Sequence, residues 1–119
     1  MNFDEITFIN ELFKKSIEQT ITWSLSGAIP AILYRQSDIL IISCYESNFL
    51  SHNKKLYLYR FRASEYDGEH DANYNVEKIE VALIHYDQVP WHSHSDSSPI
   101  HNLYNYVSSM YSGINELFK

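Results

Sequence analysis

The chain has 119 residues and a mass of 14.0 kDa, which is enough for one domain and leaves no room for a second full core. Hydrophobic residues make up 45% and charged residues 20%, a balance typical of a globular protein and not of a disordered tail or a coiled coil. The net charge of −6 disfavours nonspecific attraction to nucleic acid or to an anionic membrane.

The first segment has the clearest helical pattern. Its apolar residues recur at steps of three and four: Ile6, Ile9, Leu12, Phe13 and Ile17. Asn2 with Glu5 three positions later has the form of a capping box. The pattern predicts a helix from about Phe3 to Glu18.

Short strands are predicted next, because the apolar period changes to two. The five predicted strands are Thr20–Ser26, Ala31–Arg35, Ile39–Tyr45, Lys55–Ala63 and Ile79–His85. The brief polar turn between the second and third of these predicts a hairpin. The polar segments Glu46–Asn53 and Ser64–Asn75 are predicted to be loops.

The final part of the chain is predicted to be a second helix. A polar loop is expected after Pro90 and through Ser98. Pro99 then occupies a first helical position, and Gly113 is a stop signal. The tail Ile114–Lys119 is predicted to be a short helical turn packed back on the domain.

Helix, five strands and helix in this order predict a single α+β domain over residues 1–119. An antiparallel sheet would carry both helices on one face. The other face would stay open to solvent, to a partner, or to a second copy of the chain in a homodimer.

This order of elements is similar to that of a set of small uncharacterised bacterial and phage proteins. The resemblance lies in the strand Thr20-Ile21-Thr22-Trp23 after the opening helix and in the pair Leu103-Tyr104 in the closing helix. It implies a helix, β-meander, helix fold and no particular activity.

The protein is expected to be located in the cytoplasm. The only cysteine, Cys44, cannot form an internal disulfide, and the beginning of the sequence lacks the pattern of a secretory signal. The longest apolar stretch, Ile39–Cys44, is interrupted by Ser43 and is far shorter than the roughly 20 residues of a membrane helix. No membrane association is expected.

Catalytic motifs are scarce. Three glycines cannot build a phosphate-binding loop, and no serine lies in a nucleophile elbow. Cys44 lies in line with Leu40 and Ile42 on a strand face expected to be buried, where a thiol is inert. We therefore expect no enzyme activity and no cofactor.

Histidines in Trp91-His92-Ser93-His94-Ser95-Asp96 offer one metal hypothesis. In an extended loop His92 and His94 would point the same way, and Asp96 could add an oxygen ligand for zinc in a metal-dependent hydrolase. A second histidine or cysteine pair at metal-binding spacing is missing from the sequence. A solvated polar loop is the favoured interpretation.

Charge is unevenly distributed along the middle of the chain. Between Arg35 and Arg62 there are five basic and two acidic residues, whereas between Glu65 and Glu80 there are six acidic residues and one lysine. These neighbours could simply pair across the rim of one hairpin, which would contribute at most about 1 kcal/mol per exposed pair.

The acidic segment supports the favoured functional hypothesis, which is binding to a protein partner with a basic surface. Aromatic rings and carboxylates alternate there, and tyrosine is enriched at binding hot spots. The predicted partner-binding residues are Tyr66, Asp67, Glu69, Asp71, Tyr74 and Trp91. A specific version is an accessory or phage-encoded inhibitor of a bacterial defence nuclease or toxin.

The alternative is a binder of single-stranded nucleic acid, which the net charge makes less favoured. One predicted strand combines aromatic and basic side chains, on which bases can stack and phosphates can bind. The residues of this alternative are Lys55, Tyr57, Tyr59, Arg60, Phe61 and Arg62. The strand departs from an RNA-recognition motif because Leu56 occupies the glycine position.

Overall fold

A computed structural model of the chain describes residues 4–34, 39–51, 53–86, 88–94 and 98–112. The helices are α1 (Glu5–Ile17) and α2 (Ser98–Ser112), and a single 3₁₀ turn covers Ala31–Leu33. The strands are β1 (Trp23–Leu25), β2 (Leu40–Ser51), β3 (Lys54–Asp67), β4 (Ala72–His85) and β5 (Gln88–His92).

The five strands form one antiparallel sheet in the order β1-β2-β3-β4-β5, so each strand pairs with its neighbour in the chain. β3 and β4 each have 14 residues and pair without interruption from Lys54 opposite His85 to Asp67 opposite Ala72. The predicted α+β class, with an antiparallel sheet and a helix at each end of the chain, is confirmed.

The first helix begins later than predicted. Asp4, and not Asn2, is its N-cap: the Asp4 carboxylate accepts a hydrogen bond from the Thr7 amide at 3.3 Å and one from the Thr7 hydroxyl at 2.6 Å. An aspartate two residues further along satisfies one of the free amides of the first turn, so the helix starts at Glu5.

The predicted hairpin of Ala31–Arg35 with Ile39–Tyr45 is wrong. Ala31–Leu33 is a 3₁₀ turn that begins after Pro30, and β2 pairs with β1 and β3 instead. Three apolar residues are too few for periodicity to separate a strand from a helical turn, and the proline before them favours the turn.

The predicted loops in the middle of the chain are also strands. β2 continues to Ser51 past two irregularities in its register, and Ser64–Asn75 is the outer part of the β3–β4 hairpin. Much of this outer part is polar and exposed on both faces, so it lacks the apolar alternation that marks a half-buried strand. The loop predicted after Pro90 also begins as a strand, because Trp91 and His92 belong to β5. Pro90 is tolerated within β5 because β5 is an edge strand.

Both helices pack on one face of the sheet, as predicted. The buried residues of this helix-side core are Ile9, Leu12, Ile21, Tyr45, Leu56, Leu58, Ile79, Val81, Ile100, Leu103, Tyr104 and Val107. Ring contacts extend this core at its edges, with Phe8 against Trp91 at 5.4 Å and Phe13 against Tyr106 at 5.8 Å between centroids.

The sheet face opposite the helices is predicted to be uncovered, and over its central part this prediction is wrong. A second core contains Leu33, Ile41, Cys44, Tyr59, Phe61, Ala82 and Ile84. The segment from Ile29 to Leu33 packs over this face, and Leu33 is 0% exposed. Burial also raises the pKa of the Cys44 thiol to about 11, which agrees with a structural cysteine.

The predicted stop at Gly113 and the tail Ile114–Lys119 lie outside the described residues. Within the described ranges, neither helix has the length and apolar character needed to cross a bilayer.

Candidate functional site

The outer end of the β3–β4 hairpin, Glu65–Asn75, contains the longest run of exposed residues in the sheet among those whose exposure the structure describes; we call it the hairpin tip. All eight residues from Gly68 to Asn75 are exposed, as is Tyr66. The paired strands pass beyond the two cores here, so the tip is supported mainly by its own ladder of backbone hydrogen bonds.

Asp67 organises the turn that closes the tip. One of its carboxylate oxygens accepts a hydrogen bond from the Glu69 amide at 3.0 Å, and the other lies 2.6 Å from Nδ1 of His70. The contact with His70 is the main reason that the pKa of Asp67 lies below its usual value. Asp71 adopts a φ of 47°, a conformation that aspartate accepts more readily than most residues.

Two tyrosine rings flank the tip on opposite faces. Tyr66 is 62% exposed and Tyr74 is 47% exposed. Tyr66 is opposite Asn73, the neighbour of Tyr74, and successive side chains of a strand alternate between faces. The two rings therefore cannot lie on one flat contact surface.

Each tyrosine hydroxyl is held by a carboxylate. The Tyr66 hydroxyl donates to Asp71 at 2.5 Å, and the Tyr74 hydroxyl donates to Glu65 at 3.2 Å. These hydrogen bonds raise the pKa of both tyrosines. The rings are consequently oriented in the free protein.

The basic residues nearest the tip bind acids at its base. Lys78 lies 2.7 Å from Glu65, and two arginines bind Glu77 further along the hairpin. The expected pairing of basic and acidic neighbours across one hairpin is therefore real at the base. Asp67, Glu69 and Asp71 lie beyond these pairs and make the end of the hairpin negative.

Trp91 does not belong to this site. It lies on β5 opposite Leu83, which is 11 residues along β4 from the turn, about 35 Å at the usual rise of a strand. Trp91 is half-buried against Phe8, so its role in the structure is packing of the helix-side core.

The residues of the nucleic-acid alternative are divided between the two faces of β3. Tyr59 and Phe61 are 1% and 4% exposed in the second core, so their rings are covered and cannot stack on bases. The half-buried ring of Tyr57 packs against the same core. Arg60 and Arg62 lie on the opposite face, because β-strand side chains alternate.

The remaining member of that set, Lys55, is also engaged within the protein. Its ammonium group lies 2.8 Å from the Glu46 carboxylate. The expected platform of adjacent rings and cations is thus not assembled on one surface.

The histidines of the metal hypothesis are close to each other but divided in their contacts. The rings of His92 and His94 are 4.5 Å apart, yet His92 faces Glu80 and His94 faces Glu5, each at 3.8 Å. Among the described residues, no three or more histidine, cysteine, aspartate or glutamate side chains are grouped to hold a metal ion. Asp96 lies outside those residues.

A polar cluster on the helix-covered face was missed by sequence reasoning. It joins Arg60 and Arg62 on β3 with Glu77 on β4 and with Tyr104 on α2. The available signals were two arginines at a spacing of two in a strand, and polar residues three and four apart in the second helix.

No protein-family model, curated protein or solved structure matches this chain. The resemblance to small bacterial and phage proteins therefore stays a prediction.

Proposed function

We propose that the protein is a non-catalytic binding module that uses the hairpin tip to occupy a basic surface of a protein partner. The observation that carries this proposal is an exposed β-ribbon whose end combines two oriented tyrosine rings with the carboxylates of Asp67, Glu69 and Asp71.

Charge and preorganisation both support this function. Carboxylates at the end of the ribbon steer association with a positively charged surface. The tyrosine hydroxyls are already hydrogen-bonded, and Asp67 already fixes the turn, so less conformational entropy is lost on binding. Tyrosine then contributes a large contact area at low entropic cost.

The shape of the tip favours a cleft over a flat surface as its target. Tyr66 and Tyr74 lie on opposite faces of the ribbon, so both rings are used only when the partner surrounds the tip. Clefts that bind nucleic acid carry lysine and arginine for the phosphates. The specific proposal is an accessory or phage-encoded inhibitor that acts in the cytoplasm and blocks such a cleft in a defence nuclease or toxin.

The test is affinity capture with two charge-matched variants. Glu69→Lys with Asp71→Asn removes negative charge at the tip and keeps a residue that accepts the left-handed conformation at position 71. Glu11→Lys with Glu18→Gln makes the same change in charge on exposed positions of α1 and its C-terminal end. The wild-type protein and both variants are tagged, and each is used to capture binding proteins from nuclease-treated lysate of the source organism or of its host.

We expect one stoichiometric protein to be captured by the wild type and by the α1 control, and to be lost with the tip variant. The melting temperatures of all three proteins should be similar, because the changed side chains are exposed. Equal capture by the tip variant would refute the proposed site. Capture that disappears after nuclease treatment would refute a protein partner.

A further inference from the structure

A concave site lies at the base of the β3–β4 hairpin, on the helix-covered face. It is a pocket of about 250 Å³ between α2 and the sheet. Its polar lining includes Arg60, Glu77, His101, Tyr104 and Asn105. The proposed function does not use this pocket.

Strand and helix periodicity together place these side chains. Arg60 and Arg62 are two residues apart on β3, and both therefore face α2. In the ladder, Ser43 is opposite Arg60 and Glu77 is opposite Arg62. The other side of the pocket is formed by α2, which contributes residues 101, 104 and 105. Residues 104 and 105 follow residue 101 by three and four positions, so all three lie on one side of the helix.

Hydrogen bonds hold the floor of the pocket. The Tyr104 hydroxyl is 2.6 Å from the Ser43 hydroxyl, and Tyr104 and Arg60 both line the pocket. Tyr104 is only 7% exposed, and its contact with Ser43 holds the phenol in place on the side of the pocket next to Arg60.

The two guanidinium groups share a single carboxylate. Arg60 donates through Nε to one oxygen of Glu77 at 3.1 Å, and Arg62 donates through Nη2 to the other oxygen at 3.0 Å. Two positive charges against one negative charge leave an excess of one beside a pocket. The planar guanidinium group of arginine can donate two parallel hydrogen bonds to the oxygens of a carboxylate or a phosphate.

We propose that this pocket binds the phosphate or carboxylate group of a small molecule. The incoming oxyanion accepts hydrogen bonds from Arg60, which lines the pocket, and lies against the α2 side chains. Arg62 is outside the lining and adds positive charge next to it through its contact with Glu77. Glu77 competes with the ligand for the arginine donors. Removing the charge of Glu77 should therefore strengthen ligand binding, whereas removing an arginine should weaken it.

Isothermal titration calorimetry in 20 mM NaCl tests this with four probes: inorganic phosphate, pyrophosphate, adenosine monophosphate and succinate. We expect saturable 1:1 binding of at least one probe. Arg60→Gln should weaken that binding at least tenfold, and Glu77→Gln should strengthen it several-fold. Phosphate-bearing probes binding alone would identify a phosphate site, and succinate binding alone a carboxylate site.

Two controls separate a site from general charge effects. Lys14→Gln removes one positive charge from an exposed position on α1 and should leave binding unchanged. Asn105→Ala, at an exposed lining position, should weaken binding even if Arg60→Gln fails to fold. The proposal is overturned if no probe binds the wild type or Glu77→Gln, if Glu77→Gln weakens binding, or if Lys14→Gln weakens it as much as Asn105→Ala does. Binding of a single-stranded oligonucleotide without binding of any small probe would also overturn it.

Discussion

The cover over the second face of the sheet can be tested by truncating Leu33. This side chain comes from the 3₁₀ turn, is 0% exposed, and belongs to the core that contains Tyr59 and Phe61. Leu33→Ala removes three carbon groups, worth about 0.8 kcal/mol each, or about 2.4 kcal/mol of transfer free energy. A residual cavity brings the expected loss to about 3 kcal/mol.

Urea unfolding followed by the fluorescence of Trp23 and Trp91 measures this loss, because both rings pack at the edge of the helix-side core. At about 4 °C per kcal/mol for a domain of this size, the melting temperature should fall by about 12 °C. Leu40→Ala is the matched control: Leu40 is 56% exposed, and its truncation should cost less than about 0.5 kcal/mol. If Leu33→Ala lowers the free energy of unfolding no more than the control does, residues 29–33 do not cover this face. The rings of Tyr59 and Phe61 would then be accessible, as the nucleic-acid alternative requires.

The pKa of the Cys44 thiol, raised by burial to about 11, predicts negligible reaction with iodoacetamide at pH 8 in the native protein and rapid reaction in urea; fast native alkylation would contradict the buried position. The pKa of Glu77 lies below its usual 4.5 because two arginines donate to it. Its contribution to stability is therefore present above pH 4.5 and is lost as the pH falls through the folded-state pKa. Glu77→Gln should lower the melting temperature at pH 7, and the difference should shrink as the pH falls below 4.5; a difference that does not depend on pH would refute the ion pair. Asp4→Ala should lower the melting temperature more than Asp4→Asn, since asparagine still caps the helix; equal losses would argue against the cap at Asp4.

Elements with an apolar stripe were predictable from the sequence. α1, α2 and the inner parts of β3 and β4 carry the repeated apolar positions that become the helix-side core, and these fix the α+β class. The turn at Ala31–Leu33 was not predictable in this way, because its conformation depends on packing against a sheet face formed by residues distant in sequence.

Five of the six residues that the sequence predicts for partner binding lie in the hairpin tip, whereas Trp91 lies on β5. The form of the tip was not predictable. Alternating rings and carboxylates marked residues 66–74, but a polar ribbon has no hydrophobic period, so the sequence pattern resembled a loop. Pairing with the opposite strand puts Tyr66 and Tyr74 on opposite faces. That register is a long-range property, and it is the reason that a cleft is the favoured form of the partner's basic surface.

Site-specific photo-crosslinking at the tyrosines tests whether the hairpin tip contacts a protein partner. A benzoylphenylalanine replaces Tyr66 or Tyr74 in the tip, or the exposed Tyr34 or Tyr86 elsewhere as controls, and each protein is irradiated in nuclease-treated lysate. We expect positions 66 and 74 to crosslink to the same protein from opposite sides of the ribbon, whereas positions 34 and 86 should not crosslink to it. Crosslinking of that protein from the control positions alone, or of no protein from either tip position, would contradict this expectation.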